Sequence, residues 1–256
     1  MNFFKRFAFN LLCNNVTGFV IHTVFRDAMP VLRWHKFRFS APIEKVHYKQ
    51  IASIFWGFYE SAEIRMVEKY LNVNLDIIEL GASLGIVSSH IAAKLSPGKM
   101  LLLVEANPNL IDTIHKNVAR HLIKGASLTV VNQAIAYGHE QVSMVLTNNN
   151  TETRISENQI ESEMAVVVKT VTIESLIAEY NIQQYGLVCD IEGAEIQILM
   201  NELGTLKQCK QLIIELHKTS YKGKEYSVLD IAHLLMHDHQ FSFVMNHGPV
   251  YLFCKP

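Results

Sequence analysis

The sequence has no CxxC pair, no internal repeat, no low-complexity tract and no apolar run long enough to span a bilayer. Its four cysteines, at 13, 189, 209 and 254, are scattered. That pattern argues against a disulfide framework and for a reducing, cytoplasmic setting. Cys189 lies in an apolar strand-like run and reads as a small buried hydrophobe. Charge is sparse and balanced: 18% of residues are charged, 23 basic against 24 acidic, for a net charge of -1. No global positive field exists to recruit nucleic acid, and no Asn/Asp-Pro-Pro-aromatic motif follows the fourth strand, so a nucleic-acid partner is not expected. Disorder is excluded by a hydrophobic content of 49%. A length of 256 residues fits one large α/β domain with additions.

The amino terminus is expected to form an extension over residues 1–48, with the main domain at 49–256. Phe3, Phe4, Phe7, Leu11 and Leu12 fall at helical spacing, which suits a helix packed on the domain. A weak membrane-surface anchor beside Lys5 and Arg6 is the sharper reading. Asn10, Asn14 and Asn15 interrupt the apolar run, so stable membrane insertion is not expected.

Beyond residue 48, apolar runs alternate with helical stripes. Lys49 to Leu71 reads as helix with a break near Gly57. Strands are expected at Asp76–Leu80, Met100–Val104, Leu128–Val131, Tyr185–Asp190 and Gln211–Leu216. Helices between or after them run over Val87–Leu95, Leu110–Ile123, Ala194–Leu203 and Val228–Met236. Continuous apolar strands alternating with helices imply a mostly parallel sheet covered on both faces. Phe241–Met245 and Val250–Cys254 are separated only by Asn246-His247-Gly248-Pro249. So short a link joins antiparallel neighbours. The fold class is therefore α/β: a Rossmann-like, seven-stranded, mostly parallel sheet ending in an antiparallel hairpin. A β insertion is expected between strands three and four, formed by Gln141–Leu146 and Ala165–Ile173. The polar stretch Thr147–Glu163 between them reads as a loop, either plain surface or a lid over the acceptor.

Chemistry-bearing residues gather at the carboxyl ends of the strands. Glu79-Leu-Gly81-Ala82-Ser83-Leu-Gly85 turns strand one into a helix, and its glycines allow close backbone approach to a ligand. Neither GxGxxG nor a Walker A sequence is present, which lowers a nicotinamide or nucleoside-triphosphate reading. Glu105, in Val104-Glu-Ala106-Asn-Pro108, ends strand two where an acid can accept bonds from both ribose hydroxyls. The bland alternative is a first-turn helix acid. Asn132-Gln133-Ala134 offers amides to an adenine, or plain turn residues. Asp190-Ile-Glu192-Gly193-Ala-Glu195 puts carboxylates at the predicted ligand crevice, Asp190 being otherwise a helix cap. Glu215 and His217 share a face by their spacing. His217 is a candidate base near neutral pH or a solvated histidine. Asp190, Glu192, Glu215 and His217 could ligate Mg or Mn, but strand-end acids need no metal to explain them, and none is expected. His233 and His237, followed by His239, read as a solvated face rather than a zinc site.

These motifs together resemble the FkbM family of class I methyltransferases. Gly57-Phe-Tyr-Glu60 and Ile214-Glu-Leu-His217 add to the likeness, which covers roughly residues 50–217. Asp190-Ile-Glu-Gly-Ala-Glu195 is its most specific element. Glu79 and Ser83 stand where many relatives have Asp and Asn. The resemblance implies methyl transfer from S-adenosylmethionine to oxygen, on a sugar, glycan or natural-product hydroxyl. It implies that Gly81 and its loop, Glu79 to Gly85, hold the methionine portion. Glu105 with Ala106 would hold the ribose, and Asn132, Gln133 and Ala134 would lie near adenine. Asp190, with Glu192, would stand beside the reacting centre; from the chemistry of the residues themselves, Asp190 or His217 is expected as the base, with His217 also a candidate catalytic residue. A silent nucleotide-binding module and a Rossmann oxidoreductase are the rival readings. Self-association is left open.

Overall fold

The structure is a computed structural model that describes residues 9–145, 154–156 and 165–256. Its frame is a seven-stranded sheet. Chain order starts with helix α1 (Asn15–Phe25), strands β1 (Met29–Pro30) and β2 (Arg38–Phe39), and helices α2 (Tyr48–Trp56) and α3 (Ser61–Tyr70). Then come β3 (Asp76–Leu80), α4 (Ile86–Ala92), β4 (Met100–Val104), α5 (Ile111–Ala119) and β5 (Ser127–Val131). The insertion contributes β6 (Ala134–Ile135), β7 (Gln141–Val145), β8 (Arg154–Ser156) and β9 (Ala165–Val171). After α6 (Ile173–Glu179) follow β10 (Tyr185–Cys189), α7 (Glu195–Asn201) and β11 (Cys209–Glu215). The chain closes with β12 (Thr219–Tyr221), β13 (Lys224–Tyr226), α8 (Val228–His237), β14 (Ser242–His247) and β15 (Val250–Cys254).

The main sheet runs β14-β15-β11-β10-β3-β4-β5. Every pairing from β11 to β5 is parallel. β15 is antiparallel to both β11 and β14, the reversal expected from the short link. Ile77, Ile78, Leu101, Leu102 and Leu103 are wholly buried because helices cover both faces. Each such side chain contributes about 1.5–3 kcal/mol relative to exposure. Two apolar cores result, one on each side of the sheet.

The insertion is a separate sheet in the order β6-β9-β7-β8. β9 stops at Val171 because Thr172 and Ser175 make a reciprocal capping box, so Ile173 begins a helix rather than ending a strand. The expected loop Thr147–Glu163 lies outside the described residues except at Arg154–Ser156, where β8 pairs with β7. The predicted helical stripe of Phe3, Phe4 and Phe7 also lies outside them. Gly57 is left-handed at φ 73° and ends α2, the break expected there. His233 and His237 stack on the exposed side of α8, whereas His239 is buried, not solvated.

At the amino-terminal end, α1 lies against α2. A Cβ on Gly18 would sit 1.7 Å from the Tyr48 carbonyl oxygen, so only glycine permits this approach. Cys13, Ile21, Met29, Phe37 and Phe39 are buried in the same core as β3 and β4.

Candidate active site

The sheet's order reverses at β3 and β10: the connection after β3 leads away from β10, and the connection after β10 leads away from β3. A crevice opens beyond the carboxyl ends of strands at such a point. The chain builds it with close backbone ties. The Gly81 amide donates to the Val104 carbonyl at 2.9 Å, and the Asp190 amide donates to the Leu80 carbonyl at 3.0 Å. Gly81 has φ +84°, and a Cβ there would lie 1.9 Å from the Asp190 carbonyl oxygen. The first glycine of the motif is thus required by both conformation and clearance.

Five carboxylates line the pocket: Glu60, Glu63, Glu79, Asp190 and Glu215. Gly81, Val188 and Val250 supply its apolar wall. Glu79 is 3% exposed, and its Oε2 has no hydrogen-bond partner among the described residues. Burial, with the charge of Glu105 beside it, pushes its carboxyl up to about 8. Oδ1 of Asp190 is likewise buried and without a partner among the described residues. Burial first, then Glu215 and Glu192, push Asp190 up to about 7. Glu63, also buried, is pushed up to about 8, by desolvation first and then by its neighbour Glu215.

Glu105 faces the adjoining loop. Its two oxygens accept from the backbone amides of Ser83 and Asn107, each at 2.8 Å. It does not serve as the first-turn acid of α5, which begins at Ile111 after a short turn capped by Asn107. Each oxygen retains acceptor capacity for a ribose hydroxyl. Tyr59 reaches the same loop, its hydroxyl 3.1 Å from Ser83 Oγ. Gly85, left-handed at φ 73°, starts α4. Ala82 is buried beneath the loop.

The third strand's loop is engaged differently from the expectation. Asn132 Nδ2 donates to the carbonyls of Glu105 at 2.8 Å and Ala106 at 3.0 Å, so this amide fastens the Glu105–Ala106 turn. Ala134 is buried in the small cluster of the insertion sheet, with Ala106 packed against it. Its methyl is not available to a ligand. Gln133 stays half-buried beside β9, its amide 3.5 Å from the Thr170 carbonyl.

On the outer rim, the turn after β10 carries Glu192 at φ 54° and Gly193 at φ 100°. Asp190 does not cap α7; Ala194 stands at that position with no side-chain bond. Glu195 organises the turn instead. Wholly buried, it accepts from the amides of Ile191 at 3.3 Å and Gly193 at 3.2 Å, and meets His217 Nδ1 at 3.1 Å. Nε2 of His217 lies 3.5 Å from Glu215 and 3.8 Å from Glu192. Glu195 foremost, then Glu215, push the imidazole up to about 11. An imidazolium at neutral pH has no lone pair for a substrate proton. That favours Asp190 over His217 as the candidate base. The ligand atoms of Asp190, Glu192 and His217 lie within 4.8 Å of one another, as do those of Glu63, Asp190 and Glu215.

The structure therefore brings Glu79, Gly81 and Asp190 to one pocket, Glu105 and Ser83 to the loop beside it, and Glu192 and His217 to its rim. Sequence reasoning missed Glu60 and Glu63 as lining residues and Glu195 as the partner of His217. Gly57-Phe-Tyr-Glu60 was the available signal for the first. Glu60 adopts φ 45° immediately before α3, a conformation rare for a residue with a side chain.

A crevice at the switch point of a mostly parallel sheet, with acids at adjacent strand ends, defines a Rossmann-like fold with one candidate ligand site. Residues 79–245 match the family model described as "Methyltransferase FkbM domain", and the chain belongs to that family. It is a methyltransferase, and S-adenosylmethionine is its cofactor. The oxidoreductase reading falls with that assignment. No curated protein matches the sequence. Among solved structures, magnesium protoporphyrin IX methyltransferase from Synechocystis PCC 6803 with bound SAH is 11% identical, with a TM-score of 0.47 over 94% of this chain and 95% of the other. Precorrin-6y C5,15-methyltransferase from Geobacter metallireducens is 15% identical, with a TM-score of 0.42 over 77% and 89%. A protein of the NADB-Rossmann superfamily from Streptococcus agalactiae is 12% identical, with a TM-score of 0.41; the match covers 75% of this chain but only 65% of that one. Among the described residues, no helix is long and apolar enough to cross a membrane.

The raised acids make stability depend on pH. Glu79 and Asp190 bind protons more tightly folded than unfolded. Their contribution is full below the ordinary carboxyl range and is lost as pH rises through about 7 and then about 8. Without cofactor, the melting temperature is expected to fall between about pH 4.5 and about pH 8, and Glu79→Gln should flatten that fall. Thermal melts across the interval check it. A wild-type curve that is flat or rising would contradict the burial of these carboxyls.

Proposed function

We propose that the chain methylates a hydroxyl oxygen of a sugar, glycan or natural-product acceptor, with Asp190 as general base. The carrying observation is the buried, unpartnered Oδ1 of Asp190 at the switch point of the sheet, on a carboxyl poised at about 7. A base is most effective when its pKa lies near the working pH.

The donor set fits S-adenosylmethionine. Glu79 carries a buried oxygen in need of a partner, and a cationic amino group is its complement. Glu105 would take the ribose hydroxyls, on a turn fastened by Asn132. The loop from Gly81 to Gly85 would carry the methionine portion, and Gln133 would lie near adenine. When bound, the cofactor supplies an electrophilic methyl on a sulfonium. The residues of this chain do the rest. Asp190 takes the hydroxyl proton as the oxygen becomes nucleophilic. Glu192 and Glu215, at the rim, can accept bonds from neighbouring hydroxyls and so favour a polyol acceptor. Holding the acceptor in line is itself worth roughly 7–11 kcal/mol in favourable cases.

Glu195 acts as a positioning residue, and His217 as the fixed cation that keeps Asp190 from being raised further by its acidic neighbours. His217→Gln removes the cation whose charge lowers Asp190, and is expected to move the acid limb of the kcat profile upward. Cofactor affinity should stay within a few-fold. A merely structural role would lower stability and leave the limb in place, so the pH profile decides.

Residues 9–48 belong to the same unit in this reading, supported by the shared core of Phe37, Phe39 and β3. The four free thiols support a reducing cytoplasmic setting. The direct test is transfer from methyl-labelled S-adenosylmethionine to a panel of hydroxylated acceptors and their amine counterparts. Label recovered as a hydrolysis-stable ether supports the reading; label only on nitrogen or carbon, or none on any acceptor, overturns it.

A further inference from the structure

The outward side of α1 is apolar where a surface helix is ordinarily polar. Val16, Phe19, Val20 and Val24 lie at helical spacing and are 75%, 53%, 53% and 65% exposed. Phe25 extends the patch by 37% of its surface. The opposite side is occupied, with Ile21 buried and Gly18 seated on the Tyr48 carbonyl. The helix therefore cannot roll to hide this stripe. No Asp, Glu, Lys or Arg occurs between Arg6 and Arg26.

Charge distinguishes what covers it. The first 50 residues hold eight basic and two acidic side chains, although the whole chain has 23 and 24. One of the two acids, Asp27, is paired with Lys116 at 3.2 Å. Arg26 stands exposed at the carboxyl end of α1, and Lys49 lies over Phe9. The remainder of the chain is net acidic, so the basic excess lies in the amino-terminal 50 residues that include the stripe.

We propose that α1 docks this protein on an anionic lipid surface, with the Val16–Val24 stripe in the interface and Arg26 and Lys49 on the headgroups. An apolar helix face ringed by Lys and Arg is the chemistry such surfaces hold, and neither part suffices alone. A second copy fits less well. A two-fold contact through this stripe would set two basic segments against each other. The mode is peripheral, in keeping with the absence of a spanning helix among the described residues. It is independent of the reaction assigned above, because the stripe contributes nothing to the pocket.

The test is co-sedimentation of the full chain with phosphatidylcholine vesicles, with and without phosphatidylserine, at low and high salt. Binding is expected only with phosphatidylserine and should weaken with salt. The double variant Phe19→Asp/Val24→Asp should bind those vesicles at least roughly tenfold less. Arg26→Glu, which leaves the stripe intact, should weaken binding by about tenfold through charge alone. Unchanged S-adenosylhomocysteine affinity reports that each variant is folded. Absence of binding to either vesicle overturns the proposal. So does binding that both variants leave unchanged. A wild-type dimer without lipid affinity, split to monomers by Phe19→Asp/Val24→Asp, would assign the stripe to a second copy instead.

Discussion

Replacing Asp190 with asparagine is expected to cut kcat by about 10²–10⁴-fold, the range a positioned base contributes. The substitution keeps shape and removes proton affinity. The case for so large an effect is geometric. Asp190 closes β10, and its amide is tied to Leu80, so the side chain is delivered to the crevice by the sheet itself. Its Oδ1 is not engaged by a neighbour among the described residues. His217 is the weaker candidate, because three neighbouring carboxylates favour its imidazolium form. The wild-type rate should climb with pH to a plateau above about 7, as Asp190 loses its proton. That limb should vanish in Asp190→Asn. Affinity for S-adenosylhomocysteine, which lacks the sulfonium charge, should change by only a few-fold. Turnover within a few-fold of wild type at saturating substrates would sink the base assignment, whatever the acceptor.

Gly81→Ala is expected to abolish measurable cofactor binding or destabilise the fold by more than about 3 kcal/mol. Two costs coincide there. Alanine is strained at φ +84°, and its Cβ would stand 1.9 Å from the Asp190 carbonyl oxygen. Relief requires β3 and β10 to separate at their carboxyl ends, which opens the crevice and moves Asp190. Gly98 supplies the control. It has nearly the same backbone, φ +82°, but a Cβ placed there would meet nothing within 4 Å. Gly98→Ala should therefore cost about 1–2 kcal/mol, from backbone strain alone, and leave binding intact. Thermal melts and calorimetry with S-adenosylhomocysteine compare the two. Equal melting points together with equal affinity would mean that the strand ends are not packed as described.

Much of this was legible in residue order because parallel strands buried on both faces leave uninterrupted apolar runs. Met100–Val104 has the same limits in expectation and structure. The closing hairpin followed from a link too short for any crossover. Helix ends were less readable: α5 stops at Ala119, short of the expected Ile123, because apolar periodicity continues past the point where hydrogen bonding turns. The strand pair β12 and β13 left no signal, since three-residue strands carry almost no periodicity.

The acids divide in the same way. Glu79, Glu105 and Asp190 were recognisable because each closes a run of strand residues, and β3, β4 and β10 are adjacent in the sheet. Glu60 and Glu63 were not, because they reach the pocket from the start of α3, which is not part of the sheet. The state of His217 could not be read from its spacing to Glu215. Glu195 lies 22 positions away and is brought to it only by the turn after β10. Residue order thus determined which side chains stand at strand ends, since period and chain direction are local properties. Only the tertiary structure decided which of them are protonated, tied down or free, because desolvation and charge act between atoms that the chain does not join.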